Sequence, residues 1–210
     1  MVINKMIIKY NKTTSKGRTI KYIVIHDTGN TSKGAGVRNH YKYFNGGNRN
    51  ASADFFVDDK EIGQFTDYKN EYSWHVGDGK GKYGITNSNS IGIEICINSD
   101  GDYEKAFNNA VELTKKLMKE LNIPADRVVR HYDASRKSCP NSMKSSNWSR
   151  WEKFKQSIVI NNNNNQSSQT SPEGTLYRIC VGSYRNKNNA DKELLEVKKK
   201  YPNAFLHIDK

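Results

Sequence analysis

Residues 20–29 read IKYIVIHDTG, and this stretch decides the fold. Ile20 and Tyr22–Ile25 form a nearly continuous run of β-branched and aromatic side chains, closed by His26, Asp27 and the turn residues Thr28 and Gly29. A half-exposed strand alternates apolar and polar residues. A run without alternation predicts a strand buried on both faces, of the kind a helix-covered sheet holds in its interior. In such sheets ligand sites gather at the carboxyl ends of strands, and His26 occupies that end. Taken alone, a histidine there is a polar strand end, so its role depends on what the rest of the chain brings to it.

Other segments supply the partners of this strand. VRNHYKYFNGG (37–47) places Val37, Tyr41 and Phe44 at helical spacing and stops at Gly46–Gly47. ADFFVDDKEIGQF (53–65) has the form of a hairpin turning around Asp58–Lys60. SIGIEICIN (90–98) alternates strictly: Ile91, Ile93, Ile95 and Ile97 on one face, Gly92, Glu94 and Cys96 on the other. YEKAFNNAVELTKKLMKELNIP (103–124) carries the stripe Phe107, Ala110, Val111, Leu117, Met118 and Leu121, with Pro124 ending the helix. RVVRH (127–131) is strand-like. Strands alternating with helices predict an α/β sheet covered by helices.

The 210 residues carry a formal net charge of +12, and only 35% of them are hydrophobic. That balance fits one good core plus linking chain, and favours a polyanionic partner. Nucleic acid is disfavoured, because no basic helix or aromatic-interleaved motif is present. Three cysteines at wide spacing, Cys96, Cys139 and Cys180, form no disulfide framework. The N-terminal residues contain no apolar run of signal-peptide length, and no stretch approaches a membrane span; synthesis in the cytoplasm without membrane insertion is the expectation. Residues 161–172, NNNNNQSSQTSP, cannot bury enough apolar surface to order themselves. The expected division is therefore a first domain at 1–160, a flexible linker at 161–173 and a small segment at 174–210.

Glu94 stands on a strand face whose other residues, Gly92 and Cys96, are poor solubilisers. A carboxyl in a partly enclosed groove gains a raised pKa, which suits a general base. RHYDASRKSCPN (130–141) sets His131 and Cys139 in polar flanks, with Lys137 favouring a thiolate. His26, His131 and Cys139 make three N/S ligands; a catalytic zinc takes three and keeps a position open, whereas a structural zinc would need a fourth, from His40, His75 or Cys96. Trp74 and His75 precede the glycine-rich GDGKGKYG (77–84), which lacks the ending and context of a phosphate loop. They have the character of a groove wall for a sugar or peptide, or of a Trp packed at the core edge.

Together, YIVIHDTG, SADFFVDDKEI, SWHVGDG, NSIGIEIC and RHYDASRKSCPN, in this order over about residues 18–155, resemble the zinc-dependent N-acetylmuramoyl-L-alanine amidases. That superfamily includes phage endolysins, autolytic amidases and peptidoglycan recognition proteins. The resemblance implies a mixed central sheet flanked by helices, with Zn2+ held in a surface groove by His26, His131 and Cys139. It also implies Glu94 and Lys137 as catalytic residues. Some relatives carry Tyr-His or Ala-His in the SADFF strand, where this chain has Ala53 and Asp54; no tyrosine can act there, and the burden moves onto Glu94. Trp74, His75 and Asp54 are the expected substrate contacts, with His75 a second candidate beside Lys137 for stabilising the oxyanion.

The implied reaction is hydrolysis of the amide between muramic acid and L-alanine in bacterial peptidoglycan, with access to the wall after release by a holin or by lysis. The rival is a non-catalytic peptidoglycan-binding protein, against which the complete ligand trio speaks. Residues 174–210, with eight Lys/Arg against four Asp/Glu, resemble half of a SPOR domain: a strand YRICVGSY, a helix bearing Ala190, Leu194, Val197 and Tyr201, and a strand AFLHI. So small a β-α-β unit has a marginal core alone, and is expected to form a homodimer through its counterpart in another chain or to dock on the catalytic domain.

Overall fold

The structure is a computed structural model and describes residues 2–159 and 186–200. The chain divides into two compact units, Met1–Asn162 and Asn163–Lys210. The described strands are β1 (Ile3–Lys5), β2 (Lys12–Thr14), β3 (Tyr22–Asp27), β4 (Phe55–Val57), β5 (Ile62–Gln64), β6 (Glu71–Ser73), β7 (Ser90–Ile95) and β8 (Val128–Arg130). The helices are α1 (Val37–Asn45), α2 (Tyr103–Leu121), α3 (His131–Ser135), α4 (Ser145–Val159) and α5 (Lys187–Lys200).

Six strands form one sheet in the order β1-β5-β4-β7-β3-β8, while β2 and β6 form a separate antiparallel pair. Only β4 and β5 run antiparallel within the large sheet; the other neighbours are parallel, so the sheet is mixed. The expected hairpin at residues 53–65 is this β4–β5 pair. The apolar run of residues 20–29 becomes β3, between β7 and β8, with Ile23, Val24 and Ile25 entirely buried.

One sheet face carries Ile23, Ile25, Phe55, Ile91 and Ile93 against α2 and α4, the latter contributing Trp151 and Phe154. Each such side chain contributes roughly 1.5–3 kcal/mol on burial. Helix α2 begins where Asp102 accepts the Lys105 amide at 3.1 Å. It ends at Leu121 because Asn122 takes the left-handed conformation (φ 52) and returns its amide to Met118; the stop thus precedes Pro124. The opposite sheet face is less uniform. Phe56, Phe65, Val37 and Cys96 make an apolar cluster under α1 at one side, and Val24, Val76, Ile85 and Ala134 make another under α3. Between these two patches lie His26 and Glu94.

In the second unit, α5 coincides with the helix expected around Ala190, Leu194 and Val197. The two strands expected on either side of it, and the linker at 161–173, lie outside the described residues.

Candidate active site

Strand register assembles the site. His26 of β3 is the direct partner of Glu94 of β7, and Ile25 is the partner of Arg130 of β8. One residue beyond Arg130 the chain turns into α3, whose first residue is His131. Three neighbouring parallel strands therefore deliver His26, Glu94 and His131 in one row at their carboxyl ends. Cys139 returns from the loop after α3, held by the Tyr132 amide on the Cys139 carbonyl at 3.0 Å and by the Ser142 amide on Asp27 Oδ2 at 2.6 Å. Its Sγ lies 3.8 Å from His26 Nδ1. One ligand atom each from His26, His131 and Cys139 lie within 4.8 Å of one another, all three residues are buried, and the group could hold a metal ion.

The donor chemistry fits a metal. His131 Nε2 is 2.8 Å from Asp78 Oδ1, which leaves Nδ1 buried without a partner. His26 Nε2 is 3.1 Å from His75 Nδ1, which leaves Nδ1 facing Cys139 Sγ and, at 3.9 Å, Glu94 Oε1. Glu94 Oε2 is likewise buried and unpartnered. A buried polar atom without a partner costs about 1–3 kcal/mol, so a cluster of them calls for a ligand.

Each histidine is backed by a different support. Asp78 stands in a 3-10 turn at Gly77–Gly79 and also accepts Ser135 Oγ at 3.2 Å. A Cβ on Gly79 would lie 2.3 Å from the Ala134 carbonyl oxygen, so glycine lets this turn press onto α3. His75, behind His26, has its Nε2 at 3.1 Å from Ser90 Oγ, and its backbone amide donates to Asn87 Oδ1. A Cβ on Gly92 would lie 2.7 Å from His75 Cγ, so the glycine in SIGIE makes room for the His75 ring.

Burial holds the rings of His26 and His75 below their ordinary pKa, His75 at about 4. Burial also lowers His131, with Asp78 pulling the other way. Glu94 is pushed well above the usual carboxyl range by burial and by the neighbouring Asp27 charge, with Lys137 opposing. Burial and Glu94 likewise push the Cys139 thiol up. Lys137 is exposed, and its charge acts on His26, His131, Glu94 and Cys139 alike.

Two of the expected substrate contacts are corrected. Asp54 has no exposed surface, and its carboxylate accepts Thr66 Oγ1 at 2.5 Å, Ser73 Oγ at 2.8 Å and the Gly92 amide at 2.9 Å. It ties β6 and β7 together and cannot touch a substrate. His75 is buried with both ring nitrogens engaged, so it is neither a groove wall nor a donor to an oxyanion. Trp74 is half-buried, and its indole N–H donates to Thr13 Oγ1 at 2.9 Å. Of the residues that could have supplied a fourth ligand, His40 stacks on Phe56 and Cys96 lies in the apolar cluster under α1. Sequence reasoning missed Asp78, Asn87 and Ser90. Asp78 carried a signal, since a metal-binding histidine commonly hands its outer nitrogen to a carboxylate.

A family model described as N-acetylmuramoyl-L-alanine amidase matches residues 16–142, which holds every residue of this cluster. The chain belongs to that family. The family is generally zinc-dependent. A second model, the SPOR domain, matches residues 145–206. Its first part coincides with α4 (Ser145–Val159), whose Trp151 and Phe154 belong to the core of the first unit. Among the family's members, the amidase CwlH of Bacillus subtilis is 44% identical over 154 residues, 73% of this chain and 56% of that protein. XlyA of the same organism is 42% identical over 148 residues, 70% of this chain and 47% of that protein. This chain thus spans about half the length of these relatives. The solved catalytic domain of XlyA superposes with a TM-score of 0.67 at 41% identity, over 75% of this chain and 99% of that domain. The PlyG catalytic domain superposes at 0.64 and 34% identity, over 82% and 99%.

Proposed function

We propose that this chain is a peptidoglycan hydrolase that cleaves the amide between N-acetylmuramic acid and the L-alanine of the stem peptide. The observation that carries the reading is the row Glu94–His26–His131 closed by Cys139: two histidine nitrogens and a sulfur converge, with a carboxyl group beside them. A Zn2+ ion held by His26, His131 and Cys139 would supply Lewis acidity toward the scissile carbonyl and a lowered pKa for water.

The chain's own groups do the rest. Glu94 Oε1, beside His26 Nδ1, is placed to take a proton from the attacking water and to hand it to the departing alanine nitrogen. Its raised affinity for a proton, caused by burial, suits both halves of that transfer. Lys137 sits exposed with its charge on the cluster, where it can stabilise the oxyanion that develops on the carbonyl. Trp74, partly exposed next to His75, is a candidate wall for the sugar or peptide. The net charge of +12 draws the enzyme to anionic walls, an attraction that salt weakens.

The match of residues 145–206 to the SPOR domain supports wall binding by the second unit. We assign residues 161–173 as the linker to that unit, and homodimerisation through residues 174–210 as the way a half-sized unit completes its core. A monomer by light scattering would rule out the pairing.

The test of the main reading is digestion of purified cell walls by the full chain, a chelated sample, a zinc-restored sample and Glu94→Ala. The expected result is loss of turbidity with new alanine amino termini in the untreated and restored samples only. Turbidity loss that survives both chelation and Glu94→Ala would overturn it.

A further inference from the structure

The sequence puts His75 in the motif SWHVGDG, and the hydrolytic mechanism leaves it without a task. It is buried, packs against Gly92 on the face that carries Glu94, and meets the cluster through a hydrogen bond to His26. Its surroundings settle which of its nitrogens carries the proton. Ser90 Oγ has a single proton and places it on the Thr86 carbonyl at 2.5 Å. Ser90 Oγ can therefore only accept from His75 Nε2, 3.1 Å away, and His75 Nε2 must be the protonated nitrogen. The other nitrogen, Nδ1, is then a lone-pair acceptor, and it points at His26 Nε2 at 3.1 Å. His26 must in turn carry its proton on Nε2.

We propose that His75 is a positioning residue that fixes the tautomer of His26. By accepting the Nε2 proton it turns the lone pair of His26 Nδ1 toward Cys139 and Glu94, and the Thr86 carbonyl anchors the relay through Ser90. Two features of the fold serve this one contact. Gly92 is the residue whose missing Cβ admits the His75 ring, and Asn87 Oδ1 pins the backbone amides of His75 and Val76 at 3.0 and 2.8 Å. An acceptor without charge distinguishes this support from the Asp78 carboxylate behind His131.

The inference rests on His26 as a metal ligand for its purpose, but its geometry is measurable without metal. Long-range 1H–15N correlation spectra of the metal-free full chain at neutral pH should show both His26 and His75 as Nε2–H tautomers. A His26 protonated on Nδ1 would overturn the proposal. Zinc affinity by competition with a chromogenic chelator is the second readout. His75→Leu, which has no acceptor, should weaken zinc binding by about 10–100-fold. His75→Asn, whose carbonyl oxygen can occupy the place of Nδ1, should recover most of that loss. Equal losses in the two variants would reject the acceptor role and leave His75 a space-filler. If the wild type shows the expected tautomers yet binds no zinc, the metal reading fails while the positioning inference stands.

Discussion

The two histidines of the cluster present the same Nδ1 atom inward and are held from behind by opposite means. His131 leans on Asp78, a partly exposed carboxylate supplied by a glycine-rich turn. His26 leans on His75, a buried ring that in turn hydrogen-bonds Ser90 Oγ. The difference follows from the depth of the supports: the Asp78 side chain is 46% exposed, whereas His75 is buried. His131 opens a short helix at the edge of the sheet, where a charged partner keeps some contact with water. His26 lies on an interior strand at 1% exposure, where an unpaired carboxylate would bear a large desolvation cost. One site thus uses a charged support where solvent is near and an uncharged one where it is not.

Glu94 stands on β7 beside His26, apart from both supports, so variants at the supports and at Glu94 should differ in character. Glu94→Gln should have the largest effect, a fall in turnover of about 10²–10⁴-fold with zinc still bound; loss of zinc in that variant would merge the two roles. Acid stability separates the supports next. Burial holds the His75 ring at about 4 when folded, against 6.5 ordinarily. Between these pH values the unfolded chain binds a proton the folded chain refuses, so stability falls as pH falls through this window, by roughly 3 kcal/mol for this ring. Urea unfolding of the metal-free chain should show the slope, and His75→Asn should reduce it while the buried His26 and His131 keep their share; a flat wild-type curve would contradict the burial argument. Asp78→Ala should weaken zinc binding by about 10–100-fold, read by chelator competition, because His131 loses its orienting acceptor. Gly92→Ala should cost about 1–3 kcal/mol in thermal unfolding, since its Cβ meets the His75 ring, and should disturb the His26 side alone.

These two supports also mark how far the sequence could be followed. The run at 22–25 and the alternation at 90–96 were legible because each pattern has one structural solution, and with them came the sheet and the place of His26 and Glu94. His131 and Cys139 were legible by type, in flanks too polar for core. What lay behind these side chains was not. The small residues beside Glu94 left room, as their size implied, but at Gly92 the room is filled by His75 from a different segment of the chain. Asp54, which stands where some relatives carry the histidine of a Tyr-His or Ala-His pair, was expected to touch substrate. It is instead a buried clamp with three donors, none adjacent in sequence. Such partnerships depend on register between strands, which composition and spacing do not contain.

The account turns on whether His26, His131 and Cys139 hold one ion together. Titration of the metal-free full chain with Co2+, followed by absorption, tests this directly. The predicted result is saturation at one equivalent with a thiolate-to-cobalt charge-transfer band, absent in Cys139→Ser and reduced in affinity in His26→Ala and His131→Ala. A chain that binds no cobalt, or a Cys139→Ser variant that keeps the band, would contradict it.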